Sequence, residues 1–170
     1  MLRIFSSITS LKHPNDDNLA EKSTMPFFRD ALQTKISQSH LTPSQLQYAI
    51  FGYLPTWVNH LMSLRNKIVR IFGFNVGMNS VKPGCDELKI GDTAGFLTVI
   101  EKSEDEIISY ADDKHMTFYL SVRNHNNTVV ISSLVNQKTI IGRIYVNAIL
   151  PFHYIIARIM IHNAIKAKRI

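Results

Sequence analysis

Four strand-like runs follow one another at close spacing between residues 94 and 136: Ala94–Glu101, Glu106–Asp112, His115–Arg123 and Thr128–Asn136. The connections are Ser103-Glu104-Asp105, Asp112-Asp113-Lys114 and Asn124-His125-Asn126-Asn127. Turns this short join antiparallel neighbours, because a parallel crossover needs about a dozen residues or more. The third run alternates most cleanly. Met116, Phe118, Leu120 and Val122 fall on one face, and His115, Thr117, Tyr119, Ser121 and Arg123 on the other, as a half-buried strand requires. A sheet with one apolar face must bury it, and the chain supplies a cover directly. Thr139 caps a long helix whose period is set by Ile140, Ile141, Ile144, Tyr145, Ala148 and Ile149. Pro151 predicts a kink, after which Phe152, Ile155, Ile156, Ile159 and Met160 resume the pattern. Arg143, Asn147, Arg158, His162 and Lys166 mark the polar side, while His153 projects onto the apolar one.

Upstream, Phe28, Leu32 and Ile36 alternate with polar positions and predict a first strand, with Asp30 and Thr34 as polar members of the same face. Thr42-Pro43-Ser44-Gln45 opens a helix with a capping Thr, Pro at the first position and Gln at the third. Leu46, Ala49, Ile50 and Tyr53 follow at helical spacing. Pro55 ends this helix and starts a second, running to Phe72 with Gly73 as its cap. On the second helix Trp57, Leu61, Leu64, Ile68 and Phe72 form one face, widened by Val58, Met62 and Val69, and Arg65 lands inside that arc. A buried guanidinium cannot lose its proton, so it needs an acidic partner or a ligand acceptor. Residues 74–93 have no period, and a loop of that length is either a lid or conceals a short strand. The polar stretch 12–25, with Pro14 and Asn15-Asp16-Asp17-Asn18, reads as part of a mobile arm over residues 1–25, leaving a single domain over 26–170.

The chain has 170 residues, 45% of them hydrophobic and 19% charged, which places it among single globular domains. One cysteine, Cys85, excludes an intramolecular disulfide and fits a reducing, cytoplasmic compartment. The first eleven residues lack a continuous apolar stretch and a small-residue cleavage site, so they do not read as a signal peptide. A net charge of +6 could suit nucleic acid or an anionic membrane. The cations are scattered, however, apart from Lys166, Lys168 and Arg169, which complement the negative end of the last helix. No aromatics interleave with a basic stripe, so nucleic acid is not an expected partner. Asn147, Pro151, His153 and Arg158 interrupt the apolar stretch 144–161 and argue against a membrane span. The histidines are too dispersed for a metal site, there is no Gly-x-Ser-x-Gly elbow, and no cofactor is expected.

The order is strand, two helices, several antiparallel strands, then one long helix. Curling the sheet around the last helix buries every apolar face and leaves a cavity between them. This α+β arrangement resembles the helix-grip fold of START, Bet v 1 and polyketide-cyclase-like proteins. A narrower resemblance rests on Leu54-Pro55-Thr56-Trp57-Val58, Leu64-Arg65-Asn66, Gly91-Asp92, Asp113-Lys114-His115-Met116-Thr117-Phe118, Gly142-Arg143-Ile144-Tyr145 and Pro151-Phe152-His153. In this order the segments look like the bacterial family catalogued as domain of unknown function 2867, from about residue 28 to the C-terminus. The resemblance implies a helix-grip relative that occurs alone or fused to Rossmann-type nucleotide-binding domains. No Gly-rich phosphate loop is present, so it implies a stand-alone member. A Rossmann-type oxidoreductase and a homodimer are then the protein partners to consider. The resemblance implies no established reaction.

Two residues lead the candidates. Arg65 is either a clamp for a ligand anion or half of an ion pair with Asp92, Asp113 or Glu101, Asp92 being the first choice. His153 is either a proton-transfer group at the cavity floor or a core histidine bonded to a carbonyl freed by Pro151. Trp57, Tyr145 and Phe152 line a pocket or are plain core. An Asp113–His115 dyad depends on strand register, since one residue of slip reverses the facing. Three functions follow: a module binding a small hydrophobic, anionic molecule; a cyclase- or hydratase-like enzyme in the same cavity; or an interaction domain with a filled core and a large exposed apolar patch. If Arg65 is a buried ion pair, Arg65→Met costs about 3–5 kcal/mol in denaturation; if it clamps a ligand, apo stability barely changes.

Overall fold

The structure, a computed structural model, describes residues 5–11, 18–38, 40–71 and 87–170. The Gly73 cap, Cys85 and most of the 74–93 loop lie outside the described residues. The strands are β1 (Thr9–Leu11), β2 (Phe27–Lys35), β3 (Thr93–Ala94), β4 (Leu97–Lys102), β5 (Glu106–Asp112), β6 (Met116–His125) and β7 (Thr128–Gln137). The helices are α1 (Pro43–Phe51), α2 (Thr56–Ile71) and α3 (Ile140–Lys166). All strands join one antiparallel sheet in the order β1-β2-β7-β6-β5-β4-β3. The sheet is open, with β1 and β3 at its edges. The architecture is α+β: an antiparallel sheet, two helices after its first long strand, and a long C-terminal helix.

The register across the sheet shows how alternation builds the core. Leu32 lies opposite Ile131, Ile131 opposite Val122, and Val122 opposite Ile107. All four are buried on the inner face, each worth about 1.5–3 kcal/mol of transfer free energy. The β6–β7 hairpin turns at Asn126 and Asn127, both with positive φ, the backbone a tight hairpin needs and Asn tolerates. Helix α1 begins with the expected capping box between Thr42 and Gln45. It buries Leu46, Ala49 and Ile50 against the sheet, and its buried Gln47 exchanges hydrogen bonds of 3.1 and 3.2 Å with Ser109 of β5. Met160, Ile161 and Ala164 of α3 complete this core, which therefore sits under the C-terminal half of the helix.

The sheet's outer face is partly covered by residues 18–24, which the sequence placed in a mobile arm. Leu19 is fully buried against Ile108 and Leu134. Asn18 Nδ2 donates to Glu106 Oε2 (2.9 Å), and Lys22 pairs with Glu101. Asn136 accepts from the Thr24 amide (3.0 Å) and donates to the Lys22 carbonyl (2.8 Å). A single apolar residue in a polar stretch leaves no period in the sequence, which is why this anchoring was not legible.

The start of α3 is pressed onto the start of β6. Thr139 Oγ1 accepts from the Gly142 amide (3.1 Å) and bonds His115 Nδ1 (2.9 Å). The Lys138 amide donates to the His115 carbonyl (2.9 Å). A Cβ at position 142 would lie 2.3 Å from that carbonyl oxygen, well inside van der Waals contact. Helix α3 is assigned without interruption through Pro151. Gly142→Ala gains about 1 kcal/mol of helix propensity but must push backbone aside, so a net loss of about 2 kcal/mol is expected. Urea denaturation measures it, and parent-like stability would mean the helix start is not held against this carbonyl.

Candidate functional site

Arg65 is half-buried, not sealed in a core. Its Nε donates to Tyr145 Oη of α3 (2.6 Å), its Nη1 donates to Asn66 Oδ1 (2.9 Å), and its guanidinium carbon lies 5.3 Å from the centre of the Tyr145 ring. Among the described residues no carboxylate lies within ion-pair reach of it. Asp92, the expected partner, is exposed, and its Oδ2 accepts from the Lys89 amide (2.8 Å) in the turn before β3. The expectation of a buried ion pair fails because the apolar stripe of α2 is not covered. Trp57 is 49% and Leu64 56% exposed, and among the described side chains of the stripe only Val58 is deeply buried. A guanidinium this close to water needs no counter-charge; a phenol and an aromatic face hold it.

His153 does face the sheet. Its Nε2 lies 3.3 Å from Asp30 Oδ2 of β2, and its ring stands edge-on to Phe28 with centres 5.7 Å apart. Its partner is therefore a carboxylate, not a carbonyl freed by Pro151. A histidine beside an aspartate can move protons, but such a pair needs an empty site beside it.

The space expected for a ligand between the sheet and the C-terminal helix is occupied by the side chains of α1 and α3. Two concavities among the described residues lie elsewhere. One is a hollow of about 300 Å³ on the outer face, bordered by Asn18, Glu101, Lys102 and Glu106. The other is an open groove of about 640 Å³ between the α1–α2 junction and the end of α3. Tyr53, Leu54 and Pro55 form one wall, and Asn163, Lys166 and Arg169 the other. Arg169 stacks on Tyr53 at 4.2 Å, and burial lowers its pKa. Neither concavity is lined by His153 or Asp30. No group of three metal-ligating side chains occurs among the described residues.

The Asp113–His115 dyad is not formed. Asp113 Oδ1 accepts from the backbone amides of His115 (2.7 Å) and Met116 (2.9 Å), while the His115 ring turns to Thr139. Beside it, Asp112 Oδ1 accepts from Lys138 Nζ and from Thr117 Oγ1. The Lys138 bond first, then the Thr117 bond, holds this carboxyl below its ordinary value.

The outer side of α3 is the largest departure from expectation. Its sheet-facing side is Gly142, Val146, Met160, Ile161 and Ala164. Ile140, Ile144 and Ile155, expected in the core, point to solvent, with Ile144 64% and Ile155 53% exposed. Phe152 is exposed on the same helix, and Tyr145 is half-buried beside Arg65. The six candidate residues therefore do not converge. Arg65 meets Tyr145, His153 meets Asp30, Trp57 and Phe152 face outward, and Asp92 shapes a turn.

Two measurements check this geometry. Arg65→Met should cost about 1 kcal/mol, the value of one hydrogen bond, and not the several expected of a broken buried ion pair. Asp112 has a depressed folded pKa, so its contribution is present above the ordinary carboxylate range and disappears as pH falls through the lowered value. The stability difference between the parent and Lys138→Met should therefore be constant near neutrality and shrink from about pH 5 downward; a difference that grows in acid would contradict the pairing.

No curated protein and no solved structure matches the chain. The model of one family does, over residues 25–160. That span holds the β6–α3 junction, the Arg65–Tyr145 contact and the His153–Asp30 pair. The chain therefore belongs to the family described as protein of unknown function (DUF2867).

Proposed function

We propose that this protein is a docking domain, working through the outer sides of α3 and α2 and not through an internal chamber. The observation that carries this is the exposed apolar stripe of α3. Ile140, Ile144, Ala148, Pro151 and Ile155 recur every three or four residues on one side and are all exposed. The opposite side of the same helix is packed on the sheet. A helix apolar on both sides is normally buried all round, and a contiguous exposed stripe marks an interaction surface.

The two other readings have less support. A module for a small hydrophobic, anionic ligand needs a chamber, and the expected one is filled by Leu46, Ile50, Met160 and Ile161. A cyclase-like enzyme needs an empty site beside titratable groups, and the His153–Asp30 pair borders neither concavity.

The double variant Ile144→Ser/Ile155→Ser tests the reading. It should keep the parent's folding stability within about 0.5 kcal/mol per site, as exposed positions do. It should also lose most of the parent's fluorescence enhancement of a surface hydrophobic dye. Native mass spectrometry should find no co-purifying small molecule. A bound amphiphile retained by both proteins would sink the docking reading in favour of a ligand site.

A further inference from the structure

Resting on the docking reading, we propose that the surface it docks to is an anionic membrane interface, with α3 lying in the plane of the interface. The observation is how charge is distributed over the fold. All 13 acidic residues fall within residues 16–30 and 86–113; residues 31–85 and 114–170 contain none. In the fold this is a division between layers. Among the described residues the acidic ones sit at Glu21 in the N-terminal segment, in β2, on the approach to β3, and in the β4–β5 region through the turn into β6. Helices α1, α2 and α3 carry no acidic residue at all. Their only full charges are positive: Arg65, Lys67 and Arg70 on α2, and Arg143, Arg158 and Lys166 on α3. Lys168 and Arg169 follow directly.

This charge pattern selects among covers for the apolar stripe. A second copy would bring an equally cationic helical layer against the first, and like charges facing each other oppose association. An anionic surface is complementary. An exposed apolar side on a helix whose charges are all positive is the composition of a helix that lies in a lipid interface. The stripe from Ile140 to Ile155 is about 22 Å long, and α2 exposes Trp57 and Leu64 as well. The Arg65–Tyr145 bond holds the two helices together. Helix α3 is also long and apolar enough to cross a bilayer. Its inner side is committed to the sheet through Val146, Met160, Ile161 and Ala164, so the folded domain offers a membrane only the outer side.

Trp57 is the only tryptophan, which makes it a reporter. The full-length protein is mixed with vesicles of phosphatidylcholine alone or with one-third phosphatidylglycerol. Sedimentation and Trp57 emission are recorded at low and high salt. The expected result is at least about tenfold stronger partitioning to the anionic vesicles, weakened by salt, with a blue shift of Trp57. Ile144→Asp/Ile155→Asp should lose this binding. Lys67→Gln/Arg70→Gln/Arg143→Gln, which alters exposed cations only, should lose the preference for anionic lipid while keeping dye binding. Equal partitioning to both vesicle types, or binding unchanged in the aspartate variant, overturns the proposal. So does a protein that ignores vesicles but dimerises through the stripe, as shown by a concentration-dependent sedimentation coefficient that the aspartate variant abolishes; the docking reading then survives. A parent that ignores vesicles, stays monomeric and binds no dye overturns both.

Discussion

The rotation of α3 about its own axis is the constraint on which the rest of this structure depends, and it is set at the first turn. Gly142 lies so close to the His115 carbonyl that no side chain fits between them. Thr139 ties the same turn to the His115 ring and caps the helix with one oxygen atom. Once residue 142 faces the sheet, residues three, four and seven positions away are committed too. Val146 goes inward, and Ile140, Ile144 and, further along, Ile155 must go outward. The exposed stripe is thus a mechanical consequence of one close contact.

Two polar contacts of α3 fit the same rotation. Tyr145 lies on the flank toward α2, where its phenol receives Arg65. His153 lies on the inner side and reaches Asp30, which with Thr34 is a polar position on the largely apolar inner face of β2. Each is an anchor between the helix and another element. Segments that read as scattered signatures along the chain, Asp113 to Phe118, Gly142 to Tyr145, Leu64 to Asn66 and Pro151 to His153, are in space the fastenings of a single helix.

Much of the fold was legible in the sequence. Met116, Phe118, Leu120 and Val122 announced β6 by their alternation, and Thr42 and Thr139 announced two helix starts. Short turns between residues 102 and 128 required an antiparallel sheet. The candidate site was legible only in part. Arg65 and His153 were singled out because their charge or polarity broke an apolar pattern, and each does have a specific partner. The partners could not be read, because Tyr145 and Asp30 lie far away along the chain. The importance of Leu19 was invisible for a related reason: one buried residue in a polar stretch makes no period.

The sequence by itself determined the long strands, the three helices, their order, the antiparallel pairing and the absence of acidic residues from the helices, since these depend on local periodicity, capping and composition; the short edge strands β1 and β3 carried no such signal. Tertiary structure alone decided which side of α3 is inside. The apolar residues of α3 run most of the way around it, so its own pattern fits more than one rotation. The choice is made by a contact 27 residues apart, the Gly142 backbone against the His115 carbonyl. That contact turned residues expected in a core into a surface.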